Sequence, residues 1–136
     1  MYNFAVAQAT PAMLKHVPLF ADLDNRELAQ IAGSMRERRF ASGDTVTQAG
    51  APGAAFFVIE QGEADVSVDG ELRRTLKPGD YFGEIALLTG SDRTATITAT
   101  TDMLCHGLTP WDFRPLVESN SELAWKLLTA MAAKLQ

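Results

Sequence analysis

Between Arg38 and Leu108 the sequence is cut into short β-prone runs by turn residues, at Ser42-Gly43-Asp44, Ala49-Gly50, Gln61-Gly62, Asp69-Gly70 and Pro78-Gly79-Asp80. Punctuation this frequent leaves room only for short strands and tight connections. Within the runs Ala64, Val66 and Val68 alternate with Asp65, Ser67 and Asp69, and Thr94, Thr96, Thr98 and Thr100 alternate with Ala95, Ile97 and Ala99. Successive side chains of a strand point to opposite faces, so a period of two gives each strand a packed face and a more polar one. Many such strands at close spacing predict an antiparallel sandwich, jelly roll or small barrel rather than a parallel sheet. Asp69-Gly70 predicts a hairpin turn, because glycine accepts the positive φ that the turn needs.

Helical signals flank this region. Asp24 and Glu27 predict a capping pair ahead of Leu28, Ile31 and Ala32, within a helical preface over about residues 10–36. Thr109-Pro110, an N-cap residue with proline at the first helical position, predicts a helix carrying Trp111, Phe113, Leu116 and Val117. Ser119 to Glu122 matches a second capping box, ahead of Ala124, Leu127, Leu128, Met131 and Leu135 at helical spacing. The C-terminal helices are thus expected over about 110–136 and the β-roll over about 38–108, in one domain built on one core. The apolar stripe is still running at Gln136, so the last helix either frays there or continues in a longer natural chain.

Composition removes several function classes. Apolar residues make up 46% and charged residues 21%, as in a chain that folds in water. No apolar run approaches the roughly 18 residues of a membrane-spanning helix, and the first residues lack the basic and apolar blocks of a signal peptide, so a cytoplasmic protein without membrane contact is expected. The formal net charge of −5 disfavours direct nucleic-acid binding, which relies on long-range attraction to phosphates. It leaves open a small anionic ligand, which needs only a few local donors and one cation. The single cysteine, Cys105, follows Met103 and Leu104 and is expected to be a buried, inert thiol.

The segment Tyr81 to Thr96, YFGEIALLTGSDRTAT, has more specific chemistry. Gly83 stands where backbone can come close to a ligand, and Ile85 to Leu88 are long enough for one or two helical turns. The free N–H groups of a first turn, with the helix dipole, favour an anion. Arg93 follows across a turn marked by Gly90 and Asp92, so its guanidinium can return to those donors and offer a phosphate a charge-assisted fork. Glu84 would be costly beside a phosphate unless it faces a donor, and sugar hydroxyls are donors. Oriented N–H groups, one arginine and one acid therefore suit a phosphate next to a ribose.

Phe82-Gly83-Glu84-Ile85-Ala86-Leu87 followed by Arg93-Thr94-Ala95 resembles the phosphate-binding cassette of the cyclic nucleotide-binding domain family, which includes protein kinase A regulatory subunits, cyclic-nucleotide-gated channels and the catabolite activator protein. The resemblance extends from Leu19-Phe20 through the Gly43, Gly50, Gly62 and Gly79 turns to the final helices. It implies a β-roll with a short cassette helix and two C-terminal helices, taking cAMP or cGMP as ligand and no other cofactor. By the same resemblance Arg93 pairs with the cyclic phosphate, helped by the N–H groups of Ala86 and Thr94. Glu84 and the Gly83 backbone hold the ribose 2′-hydroxyl. Ile85 and Val66 line the sugar and base, although Val66 reads equally as a core residue. A hydroxyl directly after the arginine, here on Thr94, occurs in family members of both preferences, and cAMP is slightly favoured.

The histidines, His16 and His106, are far apart, and no cysteine or serine has a nucleophile's local signature, so a regulatory module rather than an enzyme is expected. His106 is expected to be packed or at the surface. Trp111 and Trp125 are expected to pack, with Trp125 within reach of the pocket or a partner. Leu87, Leu88, Phe113 and Leu116 are candidates for coupling the cassette to the C-terminal helices, and thence to a fused effector or a homodimer through the last helix. The alternative is a ligand-free interaction or dimerisation module of the same fold.

Overall fold

The structure, a computed structural model, describes residues 8–47, 55–83, 95–133 and 135. Helix α1 (Pro11–Leu14), a 3₁₀ turn (Pro18–Phe20) and α2 (Asn25–Gly33) come first. The described strands are β1 (Arg36–Phe40), β2 (Thr45–Thr47), β3 (Phe56–Gln61), β4 (Ala64–Val68), β5 (Glu71–Leu76), β6 (Tyr81–Phe82), β7 (Thr96–Ala99) and β8 (Met103–Leu108). Helices α3 (Pro110–Glu118) and α4 (Ser121–Ala133) close the chain. This is the mainly β architecture with flanking helices that the sequence predicts. The short cassette helix expected after Gly83 lies outside the described residues.

Two antiparallel sheets, ordered β1-β8-β3-β6 and β2-β7-β4-β5, face each other, so the described part of the roll is a two-sheet sandwich rather than a closed barrel. Strand β3 shows how the layers stack. Phe57 and Ile59 point between the sheets, towards Val66, Phe82, Ile97 and Cys105. Phe56 and Val58 point the other way, into a helical layer built on Leu14, Phe20, Ile31, Phe113 and Leu123. The β1-β8-β3-β6 sheet is therefore a middle layer. Its central strands are buried on both faces, which is why β3 opens with four apolar residues in a row and β8 with three, while β4 and β7 alternate. Burying each large side chain there contributes about 2 kcal/mol.

The helix starts follow the sequence closely at two ends. Asp24 accepts from the Glu27 N–H at 2.8 Å and Glu27 returns the bond to the Asp24 N–H at 3.0 Å. Thr109 accepts from the Asp112 N–H ahead of Pro110. The third start differs by one residue. Asn120, not Ser119, caps α4, its Oδ1 accepting from the Leu123 N–H at 3.1 Å. Ser119 is taken up in ending α3, where its N–H bonds the Pro115 carbonyl and its hydroxyl donates to Leu116.

The tryptophans do not pack: Trp111 is 78% and Trp125 65% exposed. The buried sides of the helices are set by Phe113 on α3 and by Leu123 and Leu127 on α4. Each tryptophan lies two positions from these, about 200° around a helix. Leu128, expected in the α4 stripe, shares the outward side at 60% exposure, and Leu135, expected in the same stripe, lies beyond the end of α4 at 89%.

Turn chemistry fixes the strand connections. Asp69 and Gly70 both take positive φ, 53° and 76°, the two-residue hairpin turn whose twist matches antiparallel strands. The turns at Ala41–Asp44 and Lys77–Asp80 share one design, with glycine at φ 93° third and aspartate fourth. In each, the aspartate carboxylate accepts from the N–H of the first residue at 2.8 Å.

Candidate functional site

The Lys77–Asp80 turn is stitched onto β3, with the Gly79 N–H donating to the Ile59 carbonyl at 2.8 Å and the Ile59 N–H to the Asp80 carbonyl at 2.9 Å. That delivers the chain into β6, whose ladder consists of Phe57↔Phe82 and Val58↔Tyr81. The two residues of β6 are clamped on opposite faces. Phe82, 7% exposed, lies against the Phe57 ring, with centroids 5.2 Å apart, in the space between the sheets. Tyr81 faces the helical layer and begins an aromatic series, Tyr81 to Phe56 at 6.2 Å, Phe56 to Phe20 at 5.6 Å and Phe20 to Phe113 at 6.3 Å. Gly83 follows at φ 89°, a conformation that side-chain-bearing residues rarely adopt.

The segment after Gly83 returns at Ala95, immediately before β7. Ala95 is half-buried against the inter-sheet cluster, and its carbonyl accepts from the Thr47 hydroxyl at 3.5 Å. Val66 stands opposite Ile97 in register, and its side chain belongs to the same cluster. Thus Phe82, Val66 and Ala95, expected at the site from sequence, all belong to or border the same inter-sheet apolar cluster. Glu84, Ile85, Ala86, Arg93 and Thr94 lie outside the described residues, as do Leu87 and Leu88. Of the coupling candidates that are described, Phe113 is buried and Leu116 half-buried, both in the helical core.

Two polar pairs sit in or beside that core. His106 is 1% exposed, with Nε2 2.7 Å from Glu60 Oε1. Lys126 of α4 donates to Glu27 Oε1 at 2.7 Å, so the Glu27 carboxylate serves both the α2 cap and the tie between α2 and α4. The hydrogen bond to Glu27 is the main cause that holds the Lys126 pKa above its ordinary 10.5. Cys105 is fully buried between the sheets, and loss of hydration pushes its pKa up to about 12, so the thiol stays protonated and unreactive near neutrality. Among the described residues no group of three or more His, Cys, Asp or Glu side chains is arranged to hold a metal ion, and no helix is long and apolar enough to cross a membrane.

The framing residues Phe57, Tyr81, Phe56 and Phe20 were not legible as such. In the sequence Phe82 reads only as the first residue of the cassette, and only the pairing of β3 with β6 joins the aromatics at 81–82 to those at 56–57.

Known proteins share this arrangement. The profile of the cyclic nucleotide-binding domain family matches residues 37–120. The chain is 42% identical over 95 residues to a cAMP-dependent protein kinase regulatory subunit of Aspergillus niger, covering 68% of this chain and 23% of that protein. It is 44% identical over 91 residues to the subunit of the same name from Eremothecium gossypii, covering 66% of this chain and 20% of that one. The chain thus spans between about a fifth and a quarter of the length of these relatives. In three dimensions it is similar to the N-terminal domain of a transcriptional regulator from Streptomyces coelicolor A3(2), with a TM-score of 0.84 and 34% identity over 90% of this chain and 91% of that one. It is also similar to cAMP-bound PfPKA-R (141–441), with a TM-score of 0.69 and 29% identity over 90% of this chain and 46% of that one. A profile match across more than half the chain, enclosing both framed ends of the Gly83–Ala95 segment, agrees with the two-sheet roll, and the chain belongs to the cyclic nucleotide-binding domain family.

Proposed function

We propose that this domain is a cyclic nucleotide sensor that binds cAMP, with cGMP the weaker ligand, and works by binding rather than catalysis. The observation that carries this reading is the Gly83-Glu84-Ile85-Ala86 and Arg93-Thr94-Ala95 pattern, intact within the span that matches the family. In it Arg93 pairs with the cyclic phosphate alongside the Ala86 and Thr94 N–H groups, and Glu84 with the Gly83 backbone takes the ribose 2′-hydroxyl. Ile85 and Val66 supply apolar surface for sugar and base. The cAMP named for PfPKA-R, and for the kinase whose regulatory subunits are relatives, supports the choice of ligand. A ligand switches a domain only by binding one conformation better than another. Here the response passes from the cassette to α3 and α4, and from there to a fused effector or a second copy, in a cytoplasmic protein.

Isothermal titration calorimetry with cAMP and cGMP, on the wild-type chain and on Arg93→Ala, tests this. Losing a charge-assisted phosphate contact costs about 2 kcal/mol, or about thirtyfold in affinity. Saturable one-site binding that falls by that factor in Arg93→Ala is expected. The exposed Trp125 and Leu128 on α4, with Leu135 beyond its end, favour a second reading, a ligand-free interaction module. No heat with either nucleotide from the folded wild-type chain would establish it over the first.

A further inference from the structure

Gly107 occupies the interior of β8 opposite Phe57 of β3. Its φ lies outside the positive range, so backbone conformation does not call for glycine there. A glycine inside a strand forgoes packing and costs chain entropy, and its presence marks a place where something comes close. What comes close is the Phe57 ring. A Cβ on residue 107 would lie 2.8 Å from Phe57 Cε1 and 3.2 Å from Cδ1.

Phe57 has little room to withdraw. It is 5% exposed and wedged between Phe40, 6.2 Å away edge-on, and Phe82, 5.2 Å away and tilted by 31°. Phe40 belongs to β1, whose ladder with β8 runs over five residue pairs, whereas β6 is held to β3 by two. A displaced ring therefore moves Phe82 before it moves Phe40, and Gly83 is the next residue.

We propose that Gly107 is a positioning residue for the nucleotide site: its bare backbone lets the Phe57 ring lie across β8, the ring seats Phe82, and Phe82 sets the direction in which the chain leaves Gly83. The proposal rests on the cassette reading above, since it concerns the alignment of that site. Gly107 itself touches no ligand. A small displacement matters, because misplacing positioned groups by about 1 Å costs up to about two powers of ten.

Calorimetry with cAMP on wild type, Gly107→Ala, Phe57→Leu and Phe57→Leu/Gly107→Ala tests this, together with ¹H–¹⁵N spectra of the ligand-free chains. Gly107→Ala is expected to weaken binding about tenfold in the wild-type background and less than about twofold in the Phe57→Leu background, where the clashing ring is gone. The Gly83 amide resonance should move in Gly107→Ala, and should coincide in Phe57→Leu and the double variant. Unchanged affinity with an unmoved Gly83 amide, or an equal loss in both backgrounds, would overturn the proposal. If Gly107→Ala does not fold, a folded double variant supports the relay and an unfolded one refutes it. Failure of the wild-type chain to bind cAMP or cGMP would instead sink the nucleotide reading, and the Gly83 amide would still decide whether Gly107 aligns the chain there.

Discussion

Replacing Cys105 with valine measures how well the space between the sheets is sealed from water. The thiol is fully buried among residues that include Phe82 and Val66, and burial raises its pKa from 9.0 to about 12. Above pH 9 the unfolded chain sheds a proton that the folded chain keeps. The thiol's contribution to stability is therefore whole below 9.0 and is lost progressively until the pH passes about 12, at about 1.4 kcal/mol per pH unit. Between pH 9 and pH 10.5 this comes to about 2 kcal/mol, a sizeable part of a small domain's stability. Urea unfolding of wild type and Cys105→Val at pH 7.5, 9.0 and 10.5, followed by tryptophan fluorescence, reads the effect. The valine changes stability by a similar amount at every pH, so only the slope matters, and the wild type should lose about 2 kcal/mol more than the variant over the upper interval. Lys126, whose raised pKa also confers stability that is present below 10.5 and lost above it, is common to both proteins and cancels. Equal slopes would show that water reaches the thiol in the folded state, and the sealed sandwich that anchors Phe82 would be wrong.

Other perturbations separate conformational from packing effects. Gly62→Ala should cost about 3 kcal/mol or more, because φ is 93° and a Cβ would lie 2.9 Å from Met103 Cα and closer still to the Asp102 carbonyl oxygen. Gly70→Ala, at φ 76° with nothing within 4 Å, should cost only the conformational part, about 1–2 kcal/mol. Similar losses in a thermal or urea melt would contradict this distinction. Glu27→Ala removes the Glu27 half of the α2 capping box and the partner of Lys126 and should cost about 2 kcal/mol, with Glu27→Gln keeping that half of the box and costing about half as much. Equal costs would mean that the tie to α4 accounts for the whole effect. Trp125, 65% exposed, should be freely quenched by acrylamide in a Trp111→Phe background and become protected on saturation with cAMP. Unchanged quenching would exclude Trp125 from covering the ligand.

The local signals in the sequence and the arrangement of the fold rest on different physics. Caps and turns are short-range devices: the Asp24–Glu27 box, the Thr109-Pro110 start and the Asp69-Gly70 turn need only neighbouring residues, and each stands as predicted. The alternation in β4 and β7 was equally readable, because one face of each is buried and the other less so. The cassette motif is contiguous enough to suggest its chemistry directly, although five of its expected site residues fall outside the described residues. Long-range packing decided the remainder. Two-sided burial hides the alternation of β3 and β8, and the choice of buried side on α3 and α4 turned both tryptophans outward, which helical spacing alone does not determine. The meeting of Phe57 with Phe82, the space left for that meeting by Gly107, and the bond from Lys126 to Glu27 99 residues away exist only once the sheets and helices are stacked. Sequence determined which pieces form and which ligand chemistry the chain can offer. Tertiary structure decided which faces are covered, because burial is shared between elements that sequence order keeps apart.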